Sequence, residues 1–157
     1  MTIQIRRAQQ ADVMQLMPLW KELAEFHANL VPEFALAPGR EKSVSEHLVE
    51  LIDKETHRIF VADDDGTLIG FASGMVREMP QQFSVYRIGY IEDVVVTARS
   101  RRCGVGKRLT NALIDWFRES GIHIVHMSAA KGNPVSQTFW HKMGFNDFMV
   151  RMRKEID

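Results

Sequence analysis

A strand that runs into a glycine-bearing loop and then a long helix constrains this chain more than any other feature. The run Ile91-Glu92-Asp93-Val94-Val95-Val96 is followed, after residues 97–100, by Arg101-Arg102-Cys103-Gly104-Val105-Gly106-Lys107. From there Leu109, Ala112, Leu113, Trp116 and Phe117 recur at helical spacing until Gly121 ends the pattern. A helix start exposes unpaired backbone N–H groups and the positive end of the helix dipole, which together attract a phosphate. Glycine at 104 and 106 lets an anion approach the backbone with no Cβ in the way. Arg101, Arg102 and Lys107 add positive charge at the same place. The ligand this segment implies carries phosphates.

The flanking sequence supplies a single α/β (α+β) domain over residues 1–157. Residues 2–7 alternate as a short strand, and Asp12 stands where it would cap a helix carrying Val13, Leu16, Trp20 and Leu23. Pro18 inside that helix predicts a kink or a break. Residues 31–39 read as a loop, open to being either a lid or a plain connector, and residues 43–51 as a second helix. Two strands follow over residues 58–62 and 68–77, joined by a turn at Asp63-Asp64-Asp65-Gly66, and a third strand lies within residues 81–96. After the helix at 104–120 come a strand at 122–127, a helix at 134–143 and a closing strand at 146–152. The predicted order is β-α-α-β-β-β-α-β-α-β around a mixed central sheet.

Composition narrows the class of function. Lys plus Arg and Asp plus Glu each number 20, so the formal charge is zero and nothing global attracts nucleic acid or an anionic membrane. No apolar run reaches spanning length, and residues 1–10 lack the apolar stretch of a signal peptide. The single cysteine, Cys103, excludes an internal disulfide and fits a cytoplasmic protein. His123 and His126 fall on opposite sides of a strand, so no metal is expected.

Three phosphate-binding patterns compete for the loop. A dinucleotide fingerprint needs a glycine where Leu109 stands, and a P-loop needs Ser or Thr where Arg108 stands. The pattern Arg/Gln-x-x-Gly-x-Gly/Ala is met in full by Arg101, Gly104 and Gly106. In this the chain resembles the GNAT N-acetyltransferase superfamily, and Asn133 through Gly144-Phe145 is similar to that family's second motif. The Ile-Glu-Asp run before the valines also looks like that of diamine-type acetyltransferases.

The resemblance implies acetyl-CoA as acetyl donor, a GNAT-like sheet with helices on both faces, and a small-molecule or peptide amine as acceptor. It implies cofactor binding by Val94, Val95 and Val96, by residues Arg101, Arg102, Cys103, Gly104, Val105, Gly106 and Lys107, and by Asn133 and Ser136. It implies that strand 90–96 splays from strand 122–127, with a Val94 N–H available to an oxyanion, and it allows a homodimer. Glu92 is the candidate base; strand alternation places it with Tyr90, Val94 and Val96 and puts Asp93 on the opposite face. Where many members carry a tyrosine general acid, this chain has Trp140. Either another group (a water, Ser136 or Tyr90) donates that proton, or the thiolate leaves unaided, or the domain binds acyl-CoA without turning it over. Cys103 reads as an inert thiol in a variable loop position, and the helical aromatics Trp116, Phe117, Phe139 and Trp140 read as core.

Overall fold

Alternating apolar residues build the sheet, and its two faces are closed by different helices. The computed structural model describes residues 2–157. Five strands lie in chain order: β1 (Ile3–Arg7), β2 (His57–Asp64), β3 (Thr67–Glu78), β4 (Arg87–Val96) and β5 (Val125–Met127). The first four pair antiparallel, and β5 joins β4 in parallel. Helices α1 (Val13–Leu30) and α2 (Glu41–Asp53) cover one face, where Leu16, Leu19 and Leu48 pack on Ile59, Val61 and Phe71. Helices α3 (Val105–Glu119) and α4 (Pro134–Lys142) close the other, with Leu109, Leu113, Phe117 and Trp140 against Ala62, Ala72 and Ile91. No helix among the described residues is long and apolar enough to cross a membrane.

The turn between β2 and β3 is the two-residue type that the acidic run predicts. Asp65 and Gly66 both take positive φ, at 49° and 90°, and Asp63 Oδ1 accepts the Gly66 N–H at 2.7 Å. Pro18 does not break α1. It forfeits one N–H bond near the helix start, while buried Leu16 and Leu19 hold the turns on both sides of it to the sheet.

Several expectations are corrected. The strand expected within residues 81–96 runs over Arg87–Val96, as placed, whereas the strand expected at 122–127 begins only at Val125. The closing strand at 146–152 does not form. Phe148, Met149 and Val150 are three consecutive exposed apolar residues with no one-sided pattern, and β5 is only three residues long, so strand propensity finds little to pair with. The segment is held instead by Phe148 against the His126 ring and by Arg153 on Glu33.

Asp12 also departs from its expected role as helix cap. It accepts no amide of α1. Its carboxylate takes both terminal nitrogens of Arg6 at 2.8 Å and the Gln9 N–H at 2.7 Å, while Arg6 Nε reaches Asp63 at 3.0 Å. Hydrogen bonding to Arg6, aided by the Gln9 amide, outweighs burial and lowers the Asp12 pKa. A carboxylate with a folded pKa below its unfolded value stabilises fully above the unfolded pKa and loses that contribution as pH falls through the folded one. Asp12→Ala should therefore cost about 1–3 kcal/mol near neutral pH. The gap from the parent protein should close as pH drops below about 4, read by denaturant titrations across pH.

Candidate functional site

The register of β4 against β3 contains one extra residue. Asp93 pairs with Ser73 and Ile91 pairs with Gly74, so Glu92 has no partner and forms a bulge. A bulge reverses the strand's alternation from that point on. Ile91, Val94 and Val96 consequently face α3, whereas Val95 packs under α1 and α2. Regular alternation would have separated the two carboxylates. Here Glu92 and Asp93 line the same hollow, with Trp20, His47 and Ser73.

Just beyond, β4 loses its other neighbour. Pairing with β5 covers only Gly89–Val125, Tyr90–His126 and Ile91–Met127, and from Glu92 onward that edge is open, as the predicted splay requires. Thr97 N–H donates to Ile69 on β3 at 2.9 Å, so by alternation Val94 and Val96 turn their backbone groups to the open side. One of these is already used: Val96 O accepts Arg101 Nε at 3.0 Å.

The loop to α3 brings the predicted phosphate-binding residues together at that open end. Gly104 sits at φ 78° and Arg102 at φ 63°, a left-handed pair that turns the chain sharply into the helix. Among the described residues, nothing in the chain accepts the amide N–H of Arg102, Cys103, Gly104, Val105, Gly106 or Lys107. Val105 contributes its amide only, because its side chain is a core anchor. A Cβ on Gly106 would lie 3.7 Å from Phe139 and 3.8 Å from Val96, so the helix start rests on both α4 and the end of β4. Arg102, Cys103 and Lys107 are exposed. Arg101 is different: its guanidinium bonds Glu22 of α1 at 3.1 Å as well as Val96 O, so it ties the loop down instead of standing free as charge. Asn133 caps α4 by accepting the Ser136 N–H at 3.1 Å, and Ser136 Oγ accepts Trp140 Nε1 at 3.1 Å. Trp140 is a buried core residue.

On the other side of β4 lies a cleft of about 550 Å³ between α1, α2 and the loop joining them. Trp20, Phe34 and Leu36 form apolar wall, and His27, Glu33, Arg40, Ser43, His47 and Asp93 supply polar groups. The carboxylates are perturbed. Burial, then the neighbouring Asp93, raise the Glu92 pKa, and Arg77 offsets part of this. Glu92 is exposed and lines a smaller hollow that adjoins the cleft at Trp20, His47 and Asp93. Burial raises Asp93 as well, against His27, the 3.3 Å hydrogen bond from Ser73 Oγ, and His47. Asp93, His27, His47 and Trp20 were not singled out by sequence reasoning. Only the bulge identifies the first, and nothing in a single sequence marks the others. Among the described residues, no three histidine, cysteine, aspartate or glutamate side chains gather in a way that could hold a metal ion.

If Arg101 is a tether, Arg101→Met should speed amide hydrogen exchange over residues 97–104 several-fold. It should leave the melting temperature nearly unchanged, since an exposed ion pair is worth about 0–1 kcal/mol.

The sequence profile of the acetyltransferase (GNAT) family matches residues 20–145. Glucosamine 6-phosphate N-acetyltransferase 1 of Oryza sativa subsp. japonica is 31% identical over 97 residues, covering 61% of this chain and 57% of the relative, so the match spans little more than half of that protein. Aminoglycoside N(6')-acetyltransferase type 1 of Salmonella typhimurium is 26% identical over 113 residues, covering 71% of this chain and 72% of the relative. Among solved structures, an aminoglycoside N-acetyltransferase in complex with CoA superposes with a TM-score of 0.78 at 21% identity, covering 99% of this chain and 96% of the other.

Proposed function

Because the chain belongs to the acetyltransferase (GNAT) family, we propose that it transfers an acetyl group from acetyl-CoA to the primary amine of a small molecule by direct attack in a ternary complex. The observation that carries this reading is a convergence. Unpartnered amides at the start of α3, the open edge of β4 at Val94 and Val96, and the carboxylate-bearing cleft all meet along one strand. The α3 amides with Lys107 and Arg102 suit the pyrophosphate, and the β4 edge suits the amide groups of the pantetheine arm. Two of the relatives named above act, by their names, on amino sugars, and this makes glucosamine 6-phosphate and an aminoglycoside the first acceptors to try.

The reaction needs a neutral amine. An alkylamine with pKa about 10.4 is mostly protonated at neutral pH, and freeing its lone pair there costs about 4–5 kcal/mol. Glu92 takes that proton, directly or through one water, as nitrogen forms the C–N bond and the C–S bond breaks with its electron pair leaving on sulfur. Its raised pKa makes it a better acceptor than an ordinary carboxylate. A backbone N–H at Val94 is the candidate donor to the developing oxyanion. Trp140 is buried with its only N–H given to Ser136, so it donates nothing to sulfur. A thiol pKa near 8.5 lets the thiolate leave without a dedicated acid.

Calorimetry with CoA is the primary test, and Gly104→Val should weaken binding at least tenfold by placing a β-branched residue at positive φ where the anion approaches. Heat of CoA binding absent from the parent protein would remove the reading. CoA binding with background turnover across a broad amine panel would leave a non-catalytic acyl-CoA-binding domain, the reading that buried Trp140 favours. Glu92→Gln should lower kcat about a hundredfold near pH 7 and much less near pH 9, where more of the amine is already neutral. An unchanged pH–rate profile would take Glu92 out of the mechanism.

A further inference from the structure

The open edge of β4 is a run of backbone groups with no strand beside them, and the chain itself supplies an occupant for one. Thr97 N–H donates to Ile69 O at 2.9 Å, which turns Val96 O away from β3 and toward the gap beyond the end of β5. Arg101 Nε meets that oxygen at 3.0 Å. Strand-like pairing would bring a ligand N–H to the same oxygen at about 2.9 Å, on a chain running about 4.8 Å from β4. The guanidinium therefore stands in the strip such a ligand needs. A second lone pair on the carbonyl does not remove the conflict, because the space beside the strand is what is contested. The guanidinium is anchored from behind. Arg101 Nη2 bonds Glu22 Oε1 at 3.1 Å, and among the described residues this is the only side-chain hydrogen bond joining residues 97–104 to α1. The two side chains are 56% and 43% exposed, so water and salt weaken the pair and it opens readily.

We propose that Arg101 is a self-inhibitory latch: it caps Val96 O until the amide-bearing arm of the acyl donor displaces it, and its release uncouples the loop from α1. The identity of that ligand rests on the acetyl-transfer reading; the contacts that form the latch do not. Arg101 then makes two contributions of opposite sign. Its hold on the loop keeps the α3 amides ordered and favours phosphates, while its place at Val96 O opposes the arm. A nucleotide that offers phosphates alone leaves the latch closed. A ligand with an arm opens it and frees α1, whose Trp20, Leu23 and His27 border the cleft, so arrival of the whole donor is passed to the cleft wall.

Fragments of the donor separate the two contributions. NMR titration, which reads weak binding, compares pantetheine, an arm without phosphates, with ADP, phosphates without an arm. Arg101→Met should bind pantetheine about threefold to tenfold tighter than the parent protein does, and ADP no tighter. Glu22→Gln removes the anchor and keeps the arginine; it should tighten pantetheine about twofold, and it carries the test where melting curves show Arg101→Met unfolded. In the parent protein the Arg101 Nε–H resonance should move as pantetheine is added. Pantetheine that binds Arg101→Met and Glu22→Gln no tighter than the parent protein overturns the latch. So does pantetheine that leaves the Val94, Val96 and Thr97 amides unmoved in every protein. Both results leave CoA binding to stand on its own calorimetric titration, whereas a parent protein giving no heat with CoA removes the donor and the latch together.

Discussion

Everything distinctive in this fold depends on how β4 ends. Its parallel pairing with β5 lasts three residues and stops at Ile91–Met127, and the next residue, Glu92, is the bulge against β3. The two irregularities act together. Loss of the β5 partner leaves backbone hydrogen-bonding groups at Val94 and Val96 facing a gap, which an extended polar chain can fill by strand-like pairing. The bulge flips the side chains, so that the carboxylates point into the α1–α2 cleft while the valines beyond them face α3. Under the proposed function, one strand would present backbone to the acetyl donor and acids to the acceptor. A regular strand with full pairing on both sides would do neither.

Those positions are useful only if β4 does not move, and the packing around it is unusually close. A Cβ on Gly89 would sit 2.8 Å from the Phe117 ring, and one on Gly70 would sit 2.6 Å from Val95 O. Phe117 belongs to α3, the helix whose first turn carries the unpartnered amides, so the helix that would bind the phosphates also clamps the strand that borders the cleft. Arg101 adds a third fastening, from the loop to both the end of β4 and α1. Each fastening links elements on different sides of the proposed reaction centre, which is how a site on loops and strand ends acquires the precision of a rigid element.

Much of this was legible in the sequence, and the reasons for the rest are specific. The α3 segment announced itself because a 3.6-residue apolar period, a left-handed glycine and a following Gly121 all agree on one helix. The Asp65-Gly66 turn was readable for the same kind of reason. Glu92 was visible as a carboxylate before the valines, but the place of Asp93 was not, because alternation is a local rule and a bulge is set by pairing with a strand roughly twenty residues away. Asp12 looked like a helix cap until Arg6, which the pairing of β1 with β2 also brings to Asp63, offered a stronger partner. The 146–152 segment had strand-forming residues and lacked a partner, and sheets are stabilised by pairs and not by propensity alone.

Arg101 shows how a residue that matches a motif can carry a structural role beside the one the motif suggests. Its charge lies in the loop assigned to the phosphates under the proposed function, yet its Nε donates to Val96 O and one terminal nitrogen to Glu22. Under the proposed function, the loop's attraction for an anion would rest mainly on the α3 amides, with Arg102 and Lys107 as exposed and screened contributors. Backbone donors held by a clamped helix cost little further ordering when a ligand arrives, whereas a flexible arginine would pay for its own immobilisation. Using Arg101 to fix the loop, and the loop to fix the amides, converts one side chain's charge into the preorganisation of several donors.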